Sequence, residues 1–162
     1  YFLILDPYLD NRDKQKFLDA QAFIEETYQE KILPIAEPDE VTRVEHCGYS
    51  GQKYARGNLS CRMSLTSDYS GVDYEDSFDL IEKLSAGLDD PVRGSTTNNP
   101  IDIDNIRNNS TKKNYRLFQR INDTAVSCSI SYQYSSRSNI SDNLSVTIGC
   151  SDSARVEHFP VE

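Results

Sequence analysis

Val126, Cys128, Ile130, Tyr132 and Tyr134 take every second position of one stretch, and Leu144, Val146, Ile148 and Cys150 do the same in another. Serine, glutamine, threonine or glycine fills the positions between them. Successive side chains of a strand point to opposite faces, so the pattern predicts two strands with one apolar face and one wet face. The serine- and asparagine-rich segment Ser135 to Ser141 reads as the loop joining them. Pairing Tyr134 with Leu144 sets Tyr132 against Val146, Ile130 against Ile148 and Cys128 against Cys150. A slip of one residue would turn the serines toward the core, so this register is strongly specified. Cysteines opposite each other on antiparallel strands come within bonding reach, and a Cys128–Cys150 disulfide is expected.

Upstream, Tyr115, Leu117 and Ile121 continue the alternation. Asn122-Asp123 reads as a two-residue turn, since both residues tolerate positive φ. Pairing Ile121 with Thr124 then places Gln119 by Val126, Leu117 by Cys128 and Tyr115 by Ile130, which makes a three-stranded meander.

Two helices are expected. Phe17, Ala20, Ile24, Tyr28 and Ile32 recur at helical spacing in a segment from about Asn11 to Leu33, ended by Pro34 and Pro38. Such a helix is about 35 Å long and can cross a whole sheet. A shorter one, Tyr74 to Leu88, carries Phe78, Ile81, Leu84 and Leu88 on its apolar stripe, with Asp73 as N-cap. Between the two, Leu59, Cys61, Met63 and Leu65 alternate, and Val41 to Tyr49 is a weaker strand. A Cys47–Cys61 bridge would close that hairpin. It would also set the charged Glu45 and Arg43 against the apolar Met63 and Leu65. The pattern therefore calls for a bulge or for Val44 and His46 on the inner face. Residues 89–114 are polar and read as a long loop.

The fold class that follows is α+β: an antiparallel sheet of four to five strands with the two helices on one face. Helix, cysteine strand, cysteine strand occurs twice, and Asn58-Leu59-Ser60 echoes Asn143-Leu144-Ser145. The chain thus reads as two α-β-β units, the second with an added strand and the long insertion. Residues 11–162 form one domain on this reading. Residues 1–10 open on the apolar Tyr1 to Leu5, expected to be the outer end of a transmembrane helix or signal sequence.

The formal net charge is −9 and the isoelectric point about 4.7. A phosphate backbone needs a basic face to neutralise it, so nucleic acid is not an expected partner. Four cysteines without a C-x-x-C spacing fit a disulfide framework in an oxidising compartment and not a zinc or redox site. No metal or cofactor is expected.

Catalytic patterns are sparse. There is no G-x-S-x-G elbow, and the two histidines, His46 and His158, lie in a repeated Arg-Val-Glu-His echo without further ligands. No catalytic residue is assigned. Ten tyrosines and no tryptophan suit an adaptable recognition surface. The candidate ligand-binding residues are Tyr49, Tyr54 and Tyr69 in or near loops, with Asp102 and Asp104 of the polar segment.

An apolar N-terminal end, a long helix and a disulfide-tied antiparallel sheet resemble the layout of a type IV pilin. That resemblance implies a filament or envelope-complex subunit. No pilin processing motif is present, and Asp6-Pro7 would interrupt a continuous stalk helix. The reading preferred from the residues is an extracytoplasmic, disulfide-stabilised binding or structural module, secreted or held at the cell surface by a single N-terminal anchor. Its partner would be a protein or glycan ligand. The alternative is an extracellular hydrolase using the loop carboxylates.

Overall fold

A computed structural model of the chain describes residues 11–50, 58–94, 99–109, 114–121, 126–137 and 140–155. In chain order the elements are α1 (Asn11–Thr27), β1 (Glu40–Ser50), β2 (Asn58–Ser70), α2 (Tyr74–Ser85), β3 (Arg93–Gly94), α3 (Ile103–Asn109), β4 (Tyr115–Ile121), β5 (Ser127–Arg137) and β6 (Ile140–Arg155). The six strands form one sheet in the order β1-β2-β6-β5-β4-β3, and every neighbouring pair is antiparallel. The class is α+β as expected, with six strands instead of four to five. The extra strand is β3, whose two residues pair with Phe118 and Leu117. A strand that short has no periodicity to read.

The central hairpin has the expected register. Tyr134 faces Leu144, Tyr132 faces Val146, Ile130 faces Ile148 and Cys128 faces Cys150. The last pair is joined by a disulfide, its Cα atoms 4.1 Å apart, the close spacing of a pair without ladder hydrogen bonds between them. In the other hairpin Cys47 stands opposite Cys61, which is disulfide-bonded; the Cys47 side chain lies outside the described residues.

That first hairpin has neither a bulge nor an inward Val44. Arg43 and Glu45 do face the helix side, opposite Leu65 and Met63, and α1 supplies their partners. Arg43 Nε and Nη2 donate to the Glu25 carboxylate at 2.5 and 3.0 Å. Gln21 Nε2 donates to Glu45 Oε1 at 2.8 Å. The Arg43 guanidinium holds the Glu25 carboxyl below its ordinary range. Val44 is left 49% exposed on the other side. Inward charge also suits an edge strand, because it discourages pairing with a further strand.

The core lies between the sheet and its helices. Phe17, Ile24, Tyr28 and Ile32 from the first helical segment join Ile81 and Leu84 of α2. They cover Cys61, Met63 and Leu65 of β2, Val146 and Ile148 of β6, Ile130 and Tyr132 of β5 and Leu117 of β4. A π-helical turn, Tyr28–Ile32, closes the first segment, with Leu33 N donating to Tyr28 O at 2.9 Å just ahead of Pro34. Asp73 caps α2 by accepting from Asp76 N at 2.8 Å, and this helix ends at Ser85, three residues short of Leu88.

The β4–β5 register differs from expectation. Tyr115 faces Tyr134, Leu117 faces Tyr132, Gln119 faces Ile130 and Ile121 faces Cys128. A two-residue turn at Asn122-Asp123 does not fit this ladder; residues 122–125 lie outside the described set. The shift is an even number of positions, so the same side chains still point inward. Tertiary contacts explain it. Gln119 is 2% exposed. In this register it accepts from Tyr132 Oη at 2.6 Å and donates to Asp90 O at 2.9 Å, which satisfies a polar group that would be costly to bury unpaired. Tyr115 is stacked between Phe78, 4.7 Å away at 26°, and Tyr134, 5.4 Å away at 16°.

Residues 89–114, expected as a polar loop, contain β3 and α3. Arg107 ties α3 to α2. Its Nη2 donates to Asp79 Oδ1 at 2.6 Å, Nε lies 3.6 Å from Glu75, and its guanidinium stands over the Phe78 ring at 5.4 Å. Asp90 accepts two bonds from Arg93 and one from Arg120 N, and the Arg93 guanidinium lowers its carboxyl pKa.

Burial raises the phenol pKa of Tyr115 and Tyr132 and pushes those of Tyr69 and Tyr134 up to about 12. A phenol whose folded pKa exceeds its unfolded value of 10.0 stabilises the fold fully below that value, and the contribution is lost as pH rises through the folded pKa. Ultraviolet titration is therefore expected to show Tyr69, Tyr115, Tyr132 and Tyr134 ionising only together with alkaline unfolding. A single reversible step for all ten would contradict the packing.

Candidate functional site on the open face of the sheet

All the helix packing falls on one face of the sheet. No described element packs on the other. The residues there are the ones between the apolar positions, and ladder pairing arranges them in rows across the strands. One row runs His46, Arg62, Ser151, Ser127. The next runs Val44, Ser64, Gly149, Ser129, Arg120, and the third Thr42, Thr66, Thr147, Ser131, Phe118, Arg93. The fourth runs Glu40, Asp68, Ser145, Gln133, Arg116. Rows along a strand are about 7 Å apart and neighbouring strands about 4.8 Å apart.

The middle of this face is a shallow trough of about 570 Å³, lined by Ser64, Ser129, Ser131, Thr147 and Gly149, with Phe118, Arg62 and Arg116 around it. The Thr66 and Thr147 hydroxyls are bonded across the strands at 2.9 Å. Arg62 and Arg116 are exposed, and neither makes a hydrogen bond or ion pair with another described residue. Among the described residues, acid in these rows falls at Glu40 and Asp68, and the Asp68 carboxylate accepts from Ser145 Oγ and from Asn143 Nδ2; at the opposite edge the Asp90 carboxylate is taken up by Arg93 and Arg120 N. The chain carries net negative charge, yet this face presents arginine and hydroxyl groups.

No family model, curated protein or solved structure matches the chain. What this face can do follows from the chemistry of its side chains. Each serine or threonine hydroxyl can donate one hydrogen bond and accept others, and each guanidinium offers five donors in a planar fork. Among the described residues no face hydroxyl is bonded to a histidine, and no three His, Cys, Asp or Glu side chains converge on a metal position. The arrangement suits holding a polar ligand.

A second concavity of about 460 Å³ runs between α1 and the β1–β2 edge, where Leu18 and Val44 are exposed. Its polar groups, Arg43 with Glu25 and Gln21 with Glu45, are already paired with each other. It offers fewer uncommitted groups to select a ligand than the sheet face does.

The residues singled out from sequence do not gather there. Tyr69 is 4% exposed, and its hydroxyl donates to Ala36 O at 3.2 Å. Its alternation with Leu65 and Ser67 on β2 carries it inward, to the core side. The Tyr49 backbone lies in β1 opposite Leu59, its ring outside the described residues along with all of Tyr54. Asp102 and Asp104 start α3: Asp102 Oδ1 accepts from Asp104 N at 3.1 Å, and Asp104 Oδ1 is 3.9 Å from Arg107. No hydrogen bond links these aspartates to Tyr69. His46 lies exposed in the row of Arg62, while His158 is outside the described residues. Arg62 and Arg116 carried no sequence signal of their own, because nothing local shows that two arginines on distant strands share one face.

Among the described residues no helix is long and apolar enough to cross a membrane. The Cys128–Cys150 disulfide is compatible with an oxidising, extracellular setting.

Proposed function

We propose that this chain is an extracytoplasmic, disulfide-stabilised binding module that holds its ligand on the open face of the sheet. The observation that carries the reading is a hydroxyl-lined face on which no described element packs, together with two arginines that make no hydrogen bond or ion pair with a described residue. In a chain of net charge −9, such groups are unlike the general surface. The disulfide supports placement outside the cytoplasm. An anchor, on this reading, belongs to the segment that includes Tyr1 to Leu5, outside the described residues. Asp102 and Asp104 are engaged at the start of α3, which is why the reading rests on the sheet and not on loop carboxylates.

Ser129→Glu with Ser131→Glu puts two negative charges in the trough at positions whose side chains point away from the core. Labelled protein is expected to bind envelope preparations of the source cell, and this variant about tenfold or more weaker, since like charge and bulk together oppose docking. Its thermal midpoint should stay within a few degrees. Equal binding by a folded variant would refute use of this face.

We also read the chain as two α-β-β units. Ser50↔Asn58 of the first ladder corresponds to Ser135↔Asn143 of the second, which supports that reading, while the cysteine pairs Cys47↔Cys61 and Cys128↔Cys150 fall at different places in that frame. The Asn-Leu-Ser echo falls in the same frame.

A further inference from the structure

We infer that the ligand of the open sheet face is an anionic polysaccharide; this rests on the binding reading above and names the class of ligand. Charge is the first reason. A chain with 26 acidic and 17 basic residues repels a polyanion everywhere except where the local field is reversed. Arg62, Arg116 and Arg120 stand on this face; among the described residues its row acids are Glu40 and Asp68 in one corner, and Asp90 at the β3 edge is already bonded to Arg93. That corner steers a negative chain onto the line from Arg62 to Arg116.

Dimension is the second reason. Arg116 lies in the row of Asp68, and Arg62 in the row of Ser151, three strands across. At about 4.8 Å per strand and 3.3 Å per residue, their Cα atoms are roughly 25 Å apart. Two arginines rooted that far apart on the rim of one trough suit a chain with repeated negative charges better than a single small anion.

The floor between the arginines is the third reason. It is hydroxyl and glycine with the half-buried ring of Phe118 at its side. Hydroxyl rows exchange hydrogen bonds with a hydroxylated ligand, and an aromatic ring accepts the apolar face of a sugar. An acidic peptide is recognised by side-chain pockets or by a free strand edge. The trough lies on the face of β2, β6, β5 and β4 and not along a strand edge, and where it crosses β4, at Leu117 and Phe118, that strand is itself covered by β3. Single-stranded nucleic acid would call for several stacking rings, and Phe118 is the one aromatic residue in the rows.

The test uses polygalacturonate and dextran sulfate, with fully methyl-esterified polygalacturonate and poly-L-glutamate as comparisons, at low salt. Binding of the whole chain to at least one of the two anionic polysaccharides is expected, with the ester and the polypeptide about tenfold or more weaker. Arg62→Gln with Arg116→Gln should cost about tenfold or more, the scale of losing charged hydrogen bonds. Gly149→Val should block the trough to the same extent. A Cβ there meets only Met63 O at 3.7 Å and Ser64 Cβ at 3.8 Å, ordinary contacts, and a β-branched residue suits a strand, so the fold should persist.

Binding to neither polysaccharide overturns the inference, as does binding that ignores both variants. Poly-L-glutamate bound as tightly, and lost in both variants, overturns the glycan class while leaving the face as a binding site. The Ser129 and Ser131 variant on envelope preparations tests that face separately.

Discussion

Phe78→Ala is expected to lower the unfolding free energy by about 4 kcal/mol, the usual scale for emptying a buried phenylalanine site. Phe78 is 0% exposed. It meets Tyr74 edge-on at 4.9 Å and stacks on Tyr115 at 4.7 Å, contacts that add to plain burial. Collapse around the cavity is hindered on every side. Tyr115 is held in β4, and its hydroxyl pairs with Ser77 Oγ at 2.6 Å. Arg107 above the ring is held by carboxylates of α2. Phe78→Leu keeps most of the volume and should cost less than half as much. Urea unfolding of the three proteins measures this, with an unchanged denaturant slope showing that the unfolded state is the same. A loss below about 1 kcal/mol for the alanine variant would mean that α2 is not pinned by this stack.

Removing the Cys128–Cys150 bridge with a paired serine substitution is the second large effect. The two residues are 22 apart in sequence, and closing a loop of that size restricts the unfolded chain by about 3 kcal/mol. Both half-cystines are nearly inaccessible, 4% and 1% exposed, so two hydroxyls placed there add a burial cost in the same direction. The bridge ties β5 to the centre of the sheet, since β6 also pairs with β2. Its loss should therefore loosen β4 and β5 before the β1–β2 hairpin. Hydrogen exchange on the variant, beside its urea midpoint, reads both effects. The intact protein should gain two thiols per bridge under strong reductant after unfolding. Free thiol at Cys128 or Cys150 in protein isolated without reductant would remove the argument for an oxidising compartment.

Much of the layout is legible in the sequence. The alternation from Val126 to Cys150 chose the buried face of β5 and β6, and matching apolar to apolar chose their register. The N-cap at Asp73 and the breaks at Pro34 and Pro38 were equally local. The β1–β2 register followed from two cysteines, although the charged residues it turned inward looked wrong. They were wrong only for a strand considered alone. Glu25 and Gln21 on α1, far away in sequence, complete them.

The candidate site was only half legible. The serines between the apolar positions announced a wet face. Composition and spacing point to tyrosine and aspartate for recognition, but they do not tell a loop tyrosine from Tyr69 turned into the core.

By itself, then, the sequence determined which side of β2, β5 and β6 is apolar, which register the two hairpins take, where the first helical segment breaks and where α2 begins. These follow from side-chain period and backbone sterics over a few residues. The tertiary structure alone decided that β2 pairs with β6, that β4 slides until Gln119 reaches Tyr132, that Arg93 and Gly94 add a sixth strand, and that Arg62 and Arg116 share one open face. Each of these is a choice among partners distant in the chain. Such choices are settled by which packing satisfies every buried group at once, and a local pattern carries no record of that.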